Sequence, residues 1–197
     1  MQDNNEDLIH IRLVLSGNKD AFRHIINKYK DSIYNLLFKM TGNKHDAEDL
    51  SQETFIKVYQ NLNKYKENYN VKNWIFTIAS NLCKNKIKRD KIIRFIPILK
   101  RKSNVRDEEE QNLPDKSINN PEEILIEKEE RQKLLRVIEI LPEKYKIVFL
   151  LRYIEEFSYN EIVEITGLPK GTVETYLFRA KQYLLKNFSK NEILNND

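Results

Sequence analysis

The stretch from Phe157 to Leu184 constrains the fold more than any other, because it fits two short helices joined by a tight turn. Ser158 and Glu161 have the spacing of a capping box at the start of the first helix. Gly167 suits a left-handed helix end, and Pro169 prevents the first helix from continuing. The apolar residues of the second helix share one face, namely Val173, Leu177, Ala180 and Leu184. The stretch therefore predicts a helix–turn–helix.

The other face of the second helix is polar and basic. It carries Lys170, Thr172, Thr175, Phe178, Arg179, Lys181 and Gln182. A DNA-binding helix–turn–helix needs one face that packs and one that enters a major groove. An ordinary helical hairpin with a solvated basic face is the alternative.

The remainder of the chain is also typical of helices. Only four Gly and five Pro occur among 197 residues, and alternation of apolar and polar residues is nowhere sustained. Helical spacing of apolar residues runs over 7–15, 20–40, 43–62, 71–94 and 143–154. Residues 63–70 lack this period and predict a loop. We expect an all-α protein.

Two small helical domains are predicted, joined by a flexible acidic linker. Residues 1–95 form a four-helix domain, and residues 121–197 form a domain that begins with a helix at Pro121 and contains the helix–turn–helix. Residues 96–120 contain Pro97 and lack apolar period and caps, as linkers do.

Charge is segregated along the chain, although the net charge is only +4. Nine Lys or Arg and one Asp lie within Lys84–Lys102, whereas acidic residues dominate Arg106–Glu130. This predicts contact with a polyanion in the first segment. One Cys, a polar acidic N-terminus and the lack of an apolar run of ~20 residues predict a cytoplasmic protein without membrane insertion.

No catalytic or metal-binding motif is recognisable. The chain lacks a phosphate-binding glycine loop, a nucleophile elbow and a helical His-Glu zinc motif. His10, His24 and His45 are scattered, and Cys83 has no Cys or His at ligand spacing. We therefore predict neither an enzyme nor a cofactor or metal site.

Three segments together resemble bacterial RNA polymerase sigma factors. They are DAEDLSQETFIKVYQNL, WIFTIASNLCKNKIKRDK and, after the acidic linker, LPEKYKIVFLLRYIEEFSYNEIVEITGLPKGTVETYLFRAKQYL. The two-domain layout is similar to the extracytoplasmic-function class, which keeps regions 2 and 4 of the family. The resemblance implies an all-α region 2 bundle and a region 4 helix–turn–helix domain.

The resemblance implies that Asp49, Gln52 and Glu53 dock on the clamp helices of the polymerase's largest subunit. An exposed carboxylate there can pair with basic residues of the partner. A merely solvated helix face is the alternative. Region 4 is expected to contact the flap of the second-largest subunit, and an anti-sigma factor is a further candidate partner.

A polar stripe on the fourth predicted helix matches the family's reader of the minus-ten element. It consists of Asn73, Thr77, Ser80, Asn81, Lys84 and Lys88. Amides and hydroxyls can read unstacked base edges, while lysines hold phosphates. In the preceding loop, Tyr65 and Tyr69 are available to stack on a flipped-out base. Trp74 lies on the apolar stripe and is expected in the core in preference to a melting wedge, whereas Phe76 lies off it and is expected to be exposed. A wet helix face is again the alternative.

The second helix of the helix–turn–helix resembles the family's reader of the minus-thirty-five element. We assign Thr175, Phe178 and Arg179 to base edges, and Lys170, Thr172 and Lys181 to phosphates. The sequence departs from the family at Glu174-Thr175-Tyr176, where a basic residue, Ser and Arg are common. This departure leaves the base preference open.

The sequence is thus interpreted as a sigma factor that directs core polymerase to promoter DNA. Two rival classes remain. A stand-alone helix–turn–helix regulator would need neither the Asp49-Gln52-Glu53 group nor the polar stripe. An anti-sigma or adaptor protein would not need the basic run. The acidic linker follows the RNA exit path by resemblance, or is a plain tether by composition.

Overall fold

The computed structural model of the protein describes residues 2–95, 138 and 140–194, and the side chains of 4–92, 138 and 140–187. The predicted linker and the helix predicted at Pro121 lie outside the described residues. Seven α-helices occur in the described ranges: α1 Gln2–Leu15, α2 Phe22–Thr41, α3 Lys44–Gln60, α4 Val71–Phe95, α5 Glu143–Tyr153, α6 Tyr159–Thr166 and α7 Lys170–Leu194. These ranges contain no strand. The predicted all-α class is confirmed.

The N-terminal unit is a bundle of α1–α4. Its core is made by the apolar faces of α2, α3 and α4, with Ile25, Ile33, Leu37, Leu50, Val58 and Ile75 among the buried residues. Asn43 caps α3 by accepting a hydrogen bond from the Asp46 amide, and Gly42 ends α2 in the left-handed conformation. These local signals place both helix ends close to the predicted positions.

The start of the bundle differs from the prediction. Helix α1 begins at Gln2 instead of Asp7, and α2 begins at Phe22 instead of Asp20, which lies in a 3-10 turn, Lys19–Ala21. The Asp7 side chain is buried and accepts hydrogen bonds from the Tyr29 hydroxyl and the Lys28 ammonium. This contact between α1 and α2 fixes α1, and the sequence period does not reveal it.

The C-terminal unit has the predicted helix–turn–helix. Ser158 and Glu161 form both hydrogen bonds of a capping box at the start of α6. Gly167 ends α6 with a φ of 69°, and its amide donates to the Val163 carbonyl. The buried side chains of this unit include Leu150, Leu151, Ile162, Ile165, Val173 and Leu177.

The two units pack against each other, mainly through α4 on α6 and through α2 on α5. The Phe76 ring meets the Phe157 ring edge-on, with the centroids 4.9 Å apart. The buried residues of both units form one continuous hydrophobic cluster. Within the described residues, no helix combines the length and the hydropathy that crossing a bilayer requires.

Candidate nucleic-acid interface

The recognition face of α7 points into solvent. Lys170, Thr175, Phe178, Arg179 and Lys181 are exposed, and Thr172 is half-buried. Phe178 is 64% exposed, which is unusual for a large apolar side chain unless a ligand or partner covers it. The face therefore has the composition and accessibility that a major groove requires.

Two tyrosines of α5 contact the recognition face, and sequence reasoning missed both. A hydrogen bond from Arg179 lowers the pKa of the Tyr145 phenol, and the Tyr145 ring packs edge-on against Tyr176. The Lys181 ammonium lies 5.3 Å from the centroid of the Tyr153 ring. Hydrogen bonding to Tyr153 raises the pKa of Lys181. Helix α5 thus positions two basic side chains of α7, a role that helical periodicity does not signal.

The predicted polymerase-binding residues share an accessible face of α3. Asp49, Gln52 and Glu53 are all exposed, and the Glu53 carboxylate lies 3.5 Å from the Lys57 ammonium of the next turn. Asp46, one turn earlier, has a different partner. Its carboxylate lies 3.0 Å from the Lys86 ammonium and joins α3 to α4.

A pocket of about 350 Å³ lies between the 63–70 loop and α4. It is lined by Lys64, Tyr65, Lys66, Tyr69, Asn73, Trp74, Thr77 and Glu164. The Tyr65 and Trp74 rings are 4.9 Å apart, and the Tyr65 hydroxyl donates to the Tyr69 carbonyl. Burial, assisted by Glu67 and Asp7, raises the pKa of Tyr65 to about 12. Trp74 is half-buried, so it packs on the core and also forms a wall of this pocket.

The loop is braced by α1. The Arg12 guanidinium makes a two-point ion pair with Glu67, in which Nε lies 2.8 Å from the carboxylate. At the end of the loop, the Val71 amide donates to the Asn4 side chain. The N-terminal helix therefore supports the segment that carries Tyr65 and Tyr69.

The residues of the polar stripe on α4 differ in their exposure to solvent. Asn81 and Lys88 are exposed, and Thr77 and Lys84 are half-buried. Asn73 and Ser80 are only 4% and 0% exposed. The C-terminal unit covers this part of α4, so the stripe is not a free solvated face in this arrangement.

The expectation that Phe76 is exposed was wrong. Phe76 is fully buried against Phe157 of the C-terminal unit. Its helical position places it off the core stripe of its own bundle, but the second unit provides another apolar surface. A long-range contact of this kind cannot be inferred from the spacing within one helix.

Polar contacts join the stripe to the C-terminal unit. The Asn73 amide donates to the Glu164 carboxylate at 2.9 Å, and the Lys84 ammonium donates to the Thr166 carbonyl at 3.2 Å. Thr166 is the last residue of α6, where the helix dipole attracts a cation. Burial lowers the pKa of Lys84. Two side chains predicted to read DNA are therefore engaged within the protein.

Further contacts flank this interface. The Lys72 ammonium donates to the Glu155 carbonyl at 3.3 Å and lies 4.5 Å from the centroid of the Phe157 ring. The Lys91 ammonium and the Glu143 carboxylate are 2.6 Å apart. Basic residues of α4 thus meet carbonyls, carboxylates and an aromatic face of the C-terminal unit.

Comparison with known proteins gives matches in both units. Residues 25–92 match the family described as Sigma-70 region 2, and residues 131–184 match Sigma-70, region 4. The ECF RNA polymerase sigma factor SigW of Bacillus subtilis is 35% identical over 176 residues, which cover 89% of this chain and 93% of that protein. The ECF RNA polymerase sigma-E factor of Escherichia coli K12 is 31% identical over 186 residues, covering 92% and 94%.

Solved structures share the fold. CnrH in complex with the cytosolic domain of CnrY has a TM-score of 0.66 and 18% identity, covering 94% of this chain and 98% of that chain. The sigma factor RpoE in complex with the anti-sigma factor NepR from Bartonella quintana has a TM-score of 0.64 and 19% identity, covering 85% and 96%. Together with the two family matches and the relatives above 30% identity, the sequence and fold show that this chain belongs to the extracytoplasmic-function class of RNA polymerase sigma factors.

Proposed function

We propose that three surfaces of this chain divide the work of promoter recognition. The exposed Asp49, Gln52 and Glu53 of α3 dock on the clamp helices of core polymerase. The polar stripe of α4 and the aromatic pocket beside it read the opened minus-ten element. The recognition face of α7 reads the minus-thirty-five element in duplex DNA. In this proposal the chain acts in the cytoplasm and contributes no catalysis.

The pocket beside α4 supports the minus-ten assignment. Tyr65, Tyr69 and Trp74 of the N-terminal unit form its aromatic walls, and Glu164 of the C-terminal unit also lines it while the two units are packed together. Aromatic walls suit an unstacked base, because stacking contributes ~1–3 kcal/mol per base. The lysines at its rim, Lys64 and Lys66, suit the adjoining phosphates.

The observation that carries the proposal is the coverage of α4 by the C-terminal unit. Asn73 and Lys84 contact Glu164 and Thr166, so the stripe cannot hold DNA until the two units separate. We infer that the free chain is a closed form and that docking on core polymerase opens it. The two units then correspond to the predicted domains, residues 1–95 and 121–197, with 96–120 as the tether between them.

The test is promoter DNA binding with and without core polymerase, measured by fluorescence anisotropy. We expect the free chain to bind promoter DNA weakly and without discrimination at the minus-ten element, because Asn73 and Lys84 are engaged with the C-terminal unit. Addition of core polymerase should produce specific binding to a fragment that carries both elements. A tight and specific operator complex without polymerase would contradict the proposal and favour a stand-alone helix–turn–helix regulator.

An anti-sigma factor is a second proposed partner. Both structural neighbours were solved as complexes, one with the cytosolic domain of CnrY and one with the anti-sigma factor NepR. The exposed Phe178 on α7 and the exposed Ile56 on α3 are apolar groups that a protein partner could cover. Such a partner would hold the chain away from polymerase.

A further inference from the structure

A cluster of possible metal ligands lies between α1 and α2, away from the three surfaces described above. Glu6 and His10 are one helical turn apart on α1, and His24 is in the first turns of α2. One ligand atom from each side chain lies within 4.8 Å of the other two. This cluster could not be predicted from the sequence, because two of its members are on one helix and the third is on another.

The two histidines are half-buried side chains between α1 and α2. Their rings are stacked, with the centroids 3.8 Å apart and the planes 10° apart. His10 Nδ1 and His24 Nε2 are shielded from solvent, and neither has a hydrogen-bond partner among the residues that the structure describes. The closest carboxylate oxygen to His24 Nε2 is Glu6 Oε1 at 3.6 Å, beyond a normal hydrogen bond. Unsatisfied buried nitrogens of this kind require an explanation.

The chemical nature of the three side chains indicates which class of metal ion they would bind. Two imidazoles and one carboxylate suit zinc and the neighbouring divalent transition metals, whereas calcium and magnesium prefer oxygen ligands. We propose that Glu6, His10 and His24 form a binding site for a divalent transition-metal ion of the zinc class, with solvent in the remaining coordination position.

Binding an ion requires the two imidazoles to turn out of their parallel stack, because the lone pair of each ring nitrogen lies in the plane of its own ring. Tetrahedral bonds of about 2.0–2.2 Å bring ligand atoms to roughly 3.3 Å from one another. The Glu6 side chain is 56% exposed, so it can rotate toward the two imidazoles and provide the entry path for the ion. The bound ion would fasten α1 to α2. Because α1 holds the 63–70 loop through Arg12 and Asn4, the ion would fix the helix that braces this loop.

The test uses the full-length, tag-free chain after removal of metals with a chelator. Co²⁺ serves as the spectroscopic probe and Zn²⁺ as the competitor. We expect one equivalent of Co²⁺ to give the visible d–d absorption of a low-symmetry site without a thiolate charge-transfer band, and Zn²⁺ to abolish it. Zn²⁺ at a hundred times its dissociation constant should raise the melting temperature by roughly 5–10 °C.

Single variants locate the site. His10→Gln and His24→Gln should each weaken Co²⁺ binding at least tenfold. Glu6→Gln removes the charged ligand from an exposed position, so it should weaken binding without altering the fold. The matched control is His45→Gln, because His45 is the remaining histidine of the chain and is exposed on α3. Its affinity for Co²⁺ should equal that of the wild type.

If the wild type shows no saturable Co²⁺ binding, the proposal is overturned. Binding that survives in Glu6→Gln and in both histidine variants would also overturn it. Circular dichroism of each metal-free variant shows whether that variant is folded. If a histidine variant is unfolded, the Co²⁺ affinity of Glu6→Gln alone tests the proposal.

Discussion

Arg179 is the residue whose role the structure makes easiest to measure. Its guanidinium is exposed on α7 and hydrogen-bonds to the phenol of Tyr145. If Arg179 contacts a guanine through two hydrogen bonds, Arg179→Ala should reduce discrimination at the minus-thirty-five element by ~1–3 kcal/mol. The measurement is holoenzyme affinity for matched and mismatched promoter fragments.

Lys181→Ala is the matched control for Arg179→Ala. Lys181 lies on the same face and is assigned to a phosphate, so its loss should weaken binding to all sequences alike and reduce the salt slope by about 1. If Arg179→Ala lowers the affinity for all DNA sequences equally, Arg179 contacts a phosphate and not a base.

Gln52 and Glu53 provide the residue-scale test of the polymerase contact. Both are exposed, and Glu53 has only a long ion pair with Lys57, so replacing them should leave the fold intact. The double change to Ala should weaken binding to core polymerase by about 1–3 kcal/mol through the loss of charge-assisted hydrogen bonds. Gln60→Ala, exposed at the end of the same helix, is the control. Unchanged affinity in the double variant would remove this assignment.

At the scale of helices, two glycines of the helix–turn–helix test the turn. Gly167 has a φ of 69° at the end of α6, whereas Gly171 is inside α7 and has open space where a Cβ would be. Gly167→Ala should lower the free energy of unfolding by about 1–2 kcal/mol, because an L-residue is strained at that φ. Gly171→Ala, at the second residue of α7, should raise it by about 0.4–1 kcal/mol, because alanine restricts the unfolded chain more than glycine does. Urea denaturation measures both, and equal effects of the two changes would contradict the assigned turn.

The parts of the fold that depend on neighbours in sequence could be predicted. The Ser158–Glu161 capping box, the Gly167 helix end and the Asn43 cap are local hydrogen-bonding arrangements, and the structure contains all three. The apolar stripe of α7 follows from helical geometry alone. The early start of α1 could not be predicted, because it depends on the contact of Asp7 with α2.

The positions of some site residues could be predicted from the sequence, and those of others could not. Exposure of Asp49, Gln52 and Glu53 follows from their position opposite the apolar stripe of α3. Burial of Phe76 does not follow, because Phe157 from a distant part of the chain covers it. The meeting of His10 with His24, and of Tyr145 with Arg179, likewise depends on how separate helices pack. Contacts between separate helices therefore could not be predicted from the sequence.

At the scale of the whole molecule, Cys83 reports on the closed arrangement. It is the single cysteine of the chain and is 1% exposed. Burial, together with Glu143 of the C-terminal unit and Asp46, raises its pKa from the ordinary 9.0 to about 12. Because the thiolate is the reactive form, labelling by a disulfide reagent at pH 8 should be far slower in the folded chain than in urea. The folded state holds the proton more tightly, so this contribution to stability is lost as the pH rises from 9 toward 12.

Weakening the contact between the two units should accelerate this labelling. Lys72→Ala with Glu164→Ala removes side chains that bridge α4 to the C-terminal unit, and the labelling rate should rise about tenfold if the units open more often. Glu174→Ala, exposed on α7, is the control and should not alter the rate. An unchanged rate in the double variant would show that the N-terminal bundle alone shields Cys83.

We propose that this chain gives core polymerase its promoter specificity through DNA-reading surfaces on both helical units. Run-off transcription from genomic fragments, with purified core polymerase and with or without the chain, tests it most directly. We expect transcripts from defined start sites only when the chain is present, each with both promoter elements upstream. The absence of any defined start site in the presence of the chain would show that it is not a promoter-specificity subunit.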